Sequence, residues 1–310
     1  MRISKWLIKV FGYLLYTLAV LAVMLWFQFP VVAVKTRLEH ELRSLTPDLQ
    51  WKIGRINLAM PADIRLSDIK ISDNRKSKEP LFVIDSLSLR PALWAYLKDK
   101  KLSAGYRLGI LDGSVNGQLS LTDDHNILKY DGNANGIKIT GLKKILQDLD
   151  RTLSGTLSGS FTGKGAVHGS GAVELEGNVK LLKGEIGFRE PVLGMEKLAF
   201  NRVSSRLQYG TEGIRFVDGM IESRLLAGDF TGTVKPVAGI GRSTLRLNGA
   251  LIPRPEFLSS IGDATAVNMV KSQLQGKKLP FIISGTLEEP GIVFTGLPAD
   301  FNQRPQGGGK

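Results

Sequence analysis

From residue 51 onward, apolar and polar positions alternate with a period of two, the spacing of a strand with one buried face and one wet face. Val173, Leu175, Val179 and Leu181 oppose Glu174, Glu176, Asn178 and Lys180, and Leu245 and Leu247 oppose Thr244, Arg246 and Asn248. In an earlier stretch Ile64 and Leu66 oppose Arg65 and Ser67, after which Ile69 and Ile71 oppose Lys70 and Ser72. That change of parity predicts a bulge or slip near Asp68. Residues 81–90 (LFVIDSLSLR) read as another strand, and turn signals recur at a spacing of about 8–12 residues, as in an antiparallel all-β domain. Glycine punctuates the pattern: 30 of the 35 glycines fall between Gly105 and Gly296, at strand ends or within alternating runs. A strand-Gly-strand unit recurs without a strict period, which argues against a propeller or solenoid.

Five stretches depart from this period. Val10 to Val34 carries no charge over 25 residues between Lys9 and Lys35. A bilayer core needs about 20 apolar residues of helix, so the run reads as a transmembrane helix, with Tyr13, Tyr16 and Trp26 placed for headgroup level. A cleaved signal peptide is the rival, because Arg2, Lys5 and Lys9 form a basic n-region. Its apolar part spans about 7–15 residues before a small-x-small site, and this run is longer with poor sites. The basic flank keeps the N-terminus cytoplasmic and exports the chain beyond residue 35. Past the span, Leu38, Leu42 and Leu45 keep helical spacing until Pro47, which predicts an amphipathic stalk. Short helices are expected from Pro91 to about Lys100, over Leu142 to Leu149, and over Pro255 to Leu274. The last of these carries a partial apolar stripe.

The predicted organisation is a cytoplasmic N-terminus (1–9), a transmembrane helix (10–34), a helical stalk (35–50), a β-rich periplasmic domain (51–300) and a disordered tail (301–310). The predicted fold class is mainly β. It places an N-terminal transmembrane helix before a twisted, largely antiparallel, glycine-rich open sheet or groove with a few short helices. A closed outer-membrane barrel also alternates, but an uncleaved inner-membrane anchor is incompatible with insertion there.

Composition narrows the chemistry. Cysteine is absent, which removes disulfides, thiolate metal sites and thiol nucleophiles. The net charge is +12, and +9 without Arg2, Lys5 and Lys9. Such a surface suits anionic headgroups or acidic partners, or is simply solvated. Nucleic acid is not expected, because no basic cluster is interleaved with aromatics. His40, His125 and His168 lie far apart, and no ligand spacing supports a metal. Asp63, Asp68 and Asp73 recur every five residues, on no common strand face, and read as turn and edge residues. Gly163 to Gly171 (GKGAVHGSG) lacks the Lys-Ser/Thr step and the helix of a phosphate loop. No nucleophile elbow is present. No enzyme activity, cofactor or metal is expected.

Taken in order, Asp63 to Ile71 (DIRLSDIKI), Phe82 to Leu89 (FVIDSLSL), Pro91 to Leu97 (PALWAYL), Leu111 to Leu121 and Phe281 to Phe294 (FIISGTLEEPGIVF) come after an N-in anchor. Together they resemble the type II secretion system protein N family in its longer, glycine-rich form, over roughly residues 1–300. They are more distantly similar to the AsmA and TamB group of envelope proteins. The first resemblance implies a non-enzymatic, inner-membrane-anchored periplasmic component of the type II secretion system, with other secretion-system proteins as partners. The second implies a lipid-carrying open β-groove. In that alternative reading, Ile214, Phe216, Ile221, Leu225 and Phe230, taken as alternating strand positions, line the groove. Otherwise they form an ordinary dry core.

Overall fold

Alternation on this scale requires a partner for every strand, and the chain supplies it by folding back on itself repeatedly. The computed structural model describes Tyr13, Tyr16, Thr17, Val20 and Met24, then residues 30–47, 49–59, 63–73, 80–122, 126–148, 152–167, 173–193, 195–237, 240–260 and 278–295. A helix α1 (Val31–Leu45) precedes sixteen strands of one sheet. These are β1 (Leu49–Lys52), β2 (Arg55–Ala59), β3 (Asp63–Asp73), β4 (Phe82–Pro91), β5 (Ser103–Ile110), β6 (Gly113–Leu121), β7 (Ile127–Lys138) and β8 (Thr152–Leu153). They continue as β9 (Thr156–Ala166), β10 (Glu174–Val192), β11 (Met195–Gly210), β12 (Gly213–Ser223), β13 (Leu226–Lys235), β14 (Thr244–Pro253), β15 (Leu279–Thr286) and β16 (Pro290–Phe294).

Every ladder is antiparallel, and the spatial order follows the chain order from β3 to β16, apart from β8. The remaining strands are halves of interrupted ones. β1 and β2 both pair with β3, on either side of Ile53 and Gly54; β8 and β9 both pair with β10, on either side of Ser154 and Gly155. The order is linear, and among the described residues no ladder joins β16 to the β1–β3 edge, so the sheet is open.

Short helices sit at the connections. α2 (Leu93–Asp99) joins β4 to β5, a 3-10 turn (Ile139–Leu142) and α3 (Lys143–Asp148) follow β7, and α4 (Pro255–Ser260) follows β14. Pro91, expected at a helix start, instead ends β4, and Ala92 occupies the N-cap of α2. The expected continuation of α4 through Leu274 lies outside the described residues, as do the tail 301–310, His125 and His168.

The parity change around Asp68 is present. Asp68 has a left-handed φ of 57° while the pairing register of β3 stays constant, so Leu66 and Ile69 end on the same buried face. Asp residues tolerate this region better than most. The same device recurs at Asp218 (φ 53°), within the register shift between Phe216 and Gly219.

Among the described residues no helix is long and apolar enough to cross a membrane. The expected span 10–34 lies for the most part outside them, and α1 keeps only its last apolar residues, Val31 to Val34, before the charged run from Lys35. The transmembrane element is therefore not part of the described fold. What α1 does is cover the first edge of the sheet. Val34 and Leu38 pack on Ile53, Ile56, Leu66 and Ile69, and Ile53 N donates to Glu39 Oε1 at 2.7 Å.

The sheet has two ends. At the proximal end lie the paired ends of β2 and β3, of β6 and β7, of β9 and β10 and of β13 and β14, together with α2 and the turns β11–β12 and β15–β16. The distal end carries the alternate turns, β5–β6, β10–β11 and β12–β13, and α4. Two further clusters sit distally. Leu198, Leu226 and Phe257 form one, and Leu279, Phe281 and Phe294 form the other. Val192 and Leu193, at the tip of the β10–β11 hairpin, pack against the second cluster. The long hairpin therefore folds across to the last strands, and the sheet curls upon its own apolar face.

Candidate functional site

The pairing registers place one apolar face along the whole meander. From Tyr106 on β5 it runs through Gly117 on β6, Gly132 on β7, Phe161 on β9 and Gly177 on β10 to Leu207 on β11 and Phe216 on β12. The opposite face is polar and laced with cross-strand ion pairs, among them Lys164–Glu174 at 3.1 Å, Lys197–Glu185 at 3.2 Å and Arg202–Glu222 at 2.9 Å. Lys278 and Asp229 form another. Exposed pairs of this kind contribute little to stability, but they identify the wet side.

On the apolar face large rings lie over glycines of the neighbouring strand. A Cβ on Gly163 would overlap the Tyr130 ring, and one on Gly249 would overlap that of Phe281. Each glycine thus leaves a slot that a ring fills, and a strand without side chains on one face bends toward it. The two tyrosines also reach across a strand. Tyr106 Oη donates to the carbonyl of Asp131 at 3.0 Å, and Tyr130 Oη donates to that of Glu174 at 3.1 Å. Burial raises both phenols above their ordinary pKa, helped by Asp131 at Tyr106 and by Tyr209 at Tyr130. Both are therefore protonated donors. Sequence reading missed them, although the Tyr-x-Gly step at Tyr130-Gly132 and the distant Gly163 are the signal.

Four of the five groove candidates share this face. Ile214, Phe216, Ile221 and Phe230 project from β12 and β13. Phe216 and Phe230 meet with ring centroids 6.3 Å apart at 53°. Leu225 does not sit on an alternating strand position: it lies in the turn between β12 and β13 and packs against the Leu198–Leu226–Phe257 cluster. The physical reason is the Ser223 hydroxyl, which accepts from Leu225 N at 2.9 Å and Leu226 N at 3.3 Å and folds a tight turn there. Ile221 packs on the same cluster, and Phe230 on that of Leu279. Ile214 and Phe216 belong to neither.

Near Ile214 an open groove of about 750 Å³ crosses the proximal ends of β6 to β13. Tyr130, Leu175, Tyr209 and Ile214 contribute to its lining together with Lys129, Lys164, Glu176 and Arg215 of the polar side. It is a mouth of mixed character, apolar inward and charged at the rim.

Among the described residues the one buried charge lies elsewhere. Asp63, 2% exposed, accepts two hydrogen bonds of 2.8 Å from the Arg90 guanidinium, with Arg65 at 3.7 Å. The Arg90 hydrogen bonds hold its carboxyl below the usual range, outweighing the opposing effect of burial, and the charges of Arg90 and Arg65 add to this. Asp63 is thus a buried pairing residue and not the turn or edge residue that its spacing suggested. Asp68 pairs with Arg55 at 3.2 Å. Among the described residues no group of three His, Asp or Glu side chains is placed to hold a metal ion. Comparison with known proteins finds no matching family model, no matching curated protein and no matching solved structure.

Proposed function

We propose that this chain is a non-enzymatic, membrane-anchored protein of the bacterial envelope whose curled sheet shelters acyl chains. The observation that carries the reading is the half-buried apolar face from β5 to β12, over which no described helix is laid. A face of this size is costly to leave to water, and each CH₂ that covers it contributes about 0.8 kcal/mol. The charge-free segment Val10 to Val34 supplies the anchor, with the N-terminus cytoplasmic and the sheet in the periplasm. The distant similarity to the AsmA and TamB group points the same way. The test is photo-crosslinking in cells fed radiolabelled lipid precursor, with a benzophenone side chain at Phe216 and, as control, at Asn133, exposed on the polar face of β7 and outside the groove. Lipid adducts at Phe216 alone support the reading, and none at Phe216 rejects it.

A second reading is favoured by β16. Its outer edge has no strand partner among the described residues, and Val293 on it is exposed. Such an edge recruits a partner strand by β-augmentation. With the resemblance to the type II secretion system protein N family, this supports a scaffold that binds other components of that secretion assembly. Crosslinking from Val293 in cells, followed by identification of adducts, tests it. Recovery of no secretion component, with secretion intact in a deletion strain, rejects it.

A further inference from the structure

Helix α2 presents apolar side chains to solvent. None of its residues is buried, and Trp94 is 83% exposed, Leu97 63%, Leu93 47% and Tyr96 45%. Four large apolar residues on two turns of helix are far more than a scattered surface leucine. Basic groups flank them. Lys98, Lys100 and Lys101 come next with only Asp99 between, and Lys100 Nζ stands 5.5 Å from the centre of the Tyr96 ring. Trp and Tyr beside a lysine cluster is the composition of a segment lying at a membrane interface.

The topology states which surface this helix faces. α1 runs from the proximal toward the distal end of the sheet: Lys35 Nζ donates to Gly54 O at 3.3 Å, Glu39 accepts from Ile53 N, and the Thr46 hydroxyl accepts from Trp51 Nε1 at 2.7 Å. Its N-terminus, preceded by Pro30, therefore points out of the proximal end. α2 connects Pro91 to Ser103 at that same end, beside the paired ends of β2 and β3, where Asp63 clamps Arg90. The N-terminus of α1 and helix α2 thus lie at one end of the sheet, and the groove of about 750 Å³ opens there too.

We propose that α2 is a second membrane-contacting element, seated in the headgroup region of the anionic bilayer that the anchor crosses. This rests on the anchored reading above. Trp94, Leu93 and Leu97 enter the interface, while Lys98, Lys100 and Lys101 meet lipid phosphates, which attract basic groups near an anionic surface. Two contacts fix the tilt of the sheet where one would leave it free. The consequence is that the proximal mouth is held against the bilayer, where acyl chains are supplied.

The absence of cysteine makes any introduced one a unique labelling site. The full chain carrying Leu97→Cys, Ala22→Cys or Arg224→Cys is labelled with bimane and reconstituted in two sets of phosphatidylcholine–phosphatidylglycerol vesicles, one with lipids brominated near the headgroup, which reads Leu97, and one with lipids brominated near the bilayer midplane, which reads Ala22; Arg224 is measured in both. Ala22 reports the anchor, and Arg224 lies on the exposed distal β12–β13 turn. The expected result is loss of about half the fluorescence at Leu97 and strong quenching at Ala22, with none at Arg224. Quenching at Ala22 with Leu97 as bright as Arg224 overturns the proposal and leaves the anchor standing. Quenching at neither overturns both. Quenching at Leu97 without Ala22 supports the contact of α2 and rejects the anchor. Trp94→Cys, labelled in the same way, repeats the reading from the most exposed position.

Discussion

β12 and β13 pass through two regions that differ in what covers them. At the distal end Leu226 is 2% exposed and meets Phe257 from α4 and Leu198 from β11, with Leu279 and Phe294 close by. At the proximal end of the same strands Ile214 and Phe216 keep the same alternation and the same apolar chemistry, yet remain half-buried beside an open groove. The difference lies in the connections. Distally a helix and the long β10–β11 hairpin fold over the face, whereas proximally β11 and β12 are joined by the short polar turn Thr211-Glu212. Alternation therefore specifies which face is apolar, and the connections decide whether that face becomes a closed core or stays open.

The largest effect is expected where the cover is complete. Phe257→Ala removes a side chain that is 2% exposed and should cost about 3–5 kcal/mol in urea unfolding. Phe216→Ala, proximal and half-buried, should cost less than about half of that. Equal losses would erase the comparison.

Acid sharpens it from the other edge. The Asp63 carboxyl, held below its unfolded value near 3.8 by Arg90, contributes stability that is fully present above that value. That contribution disappears as pH falls below about 4 through the lower folded value. Thermal unfolding of the parent should show this fall, and Asp63→Asn should be less stable at neutral pH and flatter across the acid range. The same acid slope in both would remove Asp63 from the account.

Overpacking comes next. Gly163→Val places a branched side chain where the Tyr130 ring lies and should cost about 1–3 kcal/mol, whereas Thr162→Val on the polar face should change stability by less than about 0.5 kcal/mol. The smallest change is Tyr130→Phe, which gives up one hydrogen bond to the Glu174 carbonyl, about 1 kcal/mol. Ultraviolet titration should also lose a phenol that ionises above the ordinary tyrosine range. Because the folded pKa of this phenol lies above the unfolded one, its contribution is complete below pH 10 and is lost as pH rises further.

Much of this fold is legible from side-chain parity. The parity change at Asp68 and the faces of β10 and β14 can be read from which residues alternate, because a strand exposes its period directly, although the change is made by a left-handed φ at constant register and not by a bulge. Interrupted strands at Gly54 and Gly155 are not legible, since a break shows only once both halves are seen on one neighbour. Leu225 misled because a serine turn imitates the spacing of a strand for two residues. Asp63 misled because its partner, Arg90, lies 27 residues away and only the β3–β4 register brings them together. The cover over the apolar face is a tertiary property and leaves no period of its own. For the candidate site, parity puts Ile214, Phe216, Ile221 and Phe230 on one apolar face, but it does not tell which pack distally and which lie near the groove.

The central claim is that the proximal apolar face is a binding surface and the distal one a core. Phe216→Asp set against Leu279→Asp, each followed by far-ultraviolet circular dichroism through a thermal ramp and by lipid crosslinking from a benzophenone at Ile214, tests it most directly. The account predicts that Phe216→Asp keeps the strand signal and a cooperative transition while losing the lipid adduct, and that Leu279→Asp fails to fold. Unfolding of both variants alike, or a lipid adduct undiminished by Phe216→Asp, would contradict it.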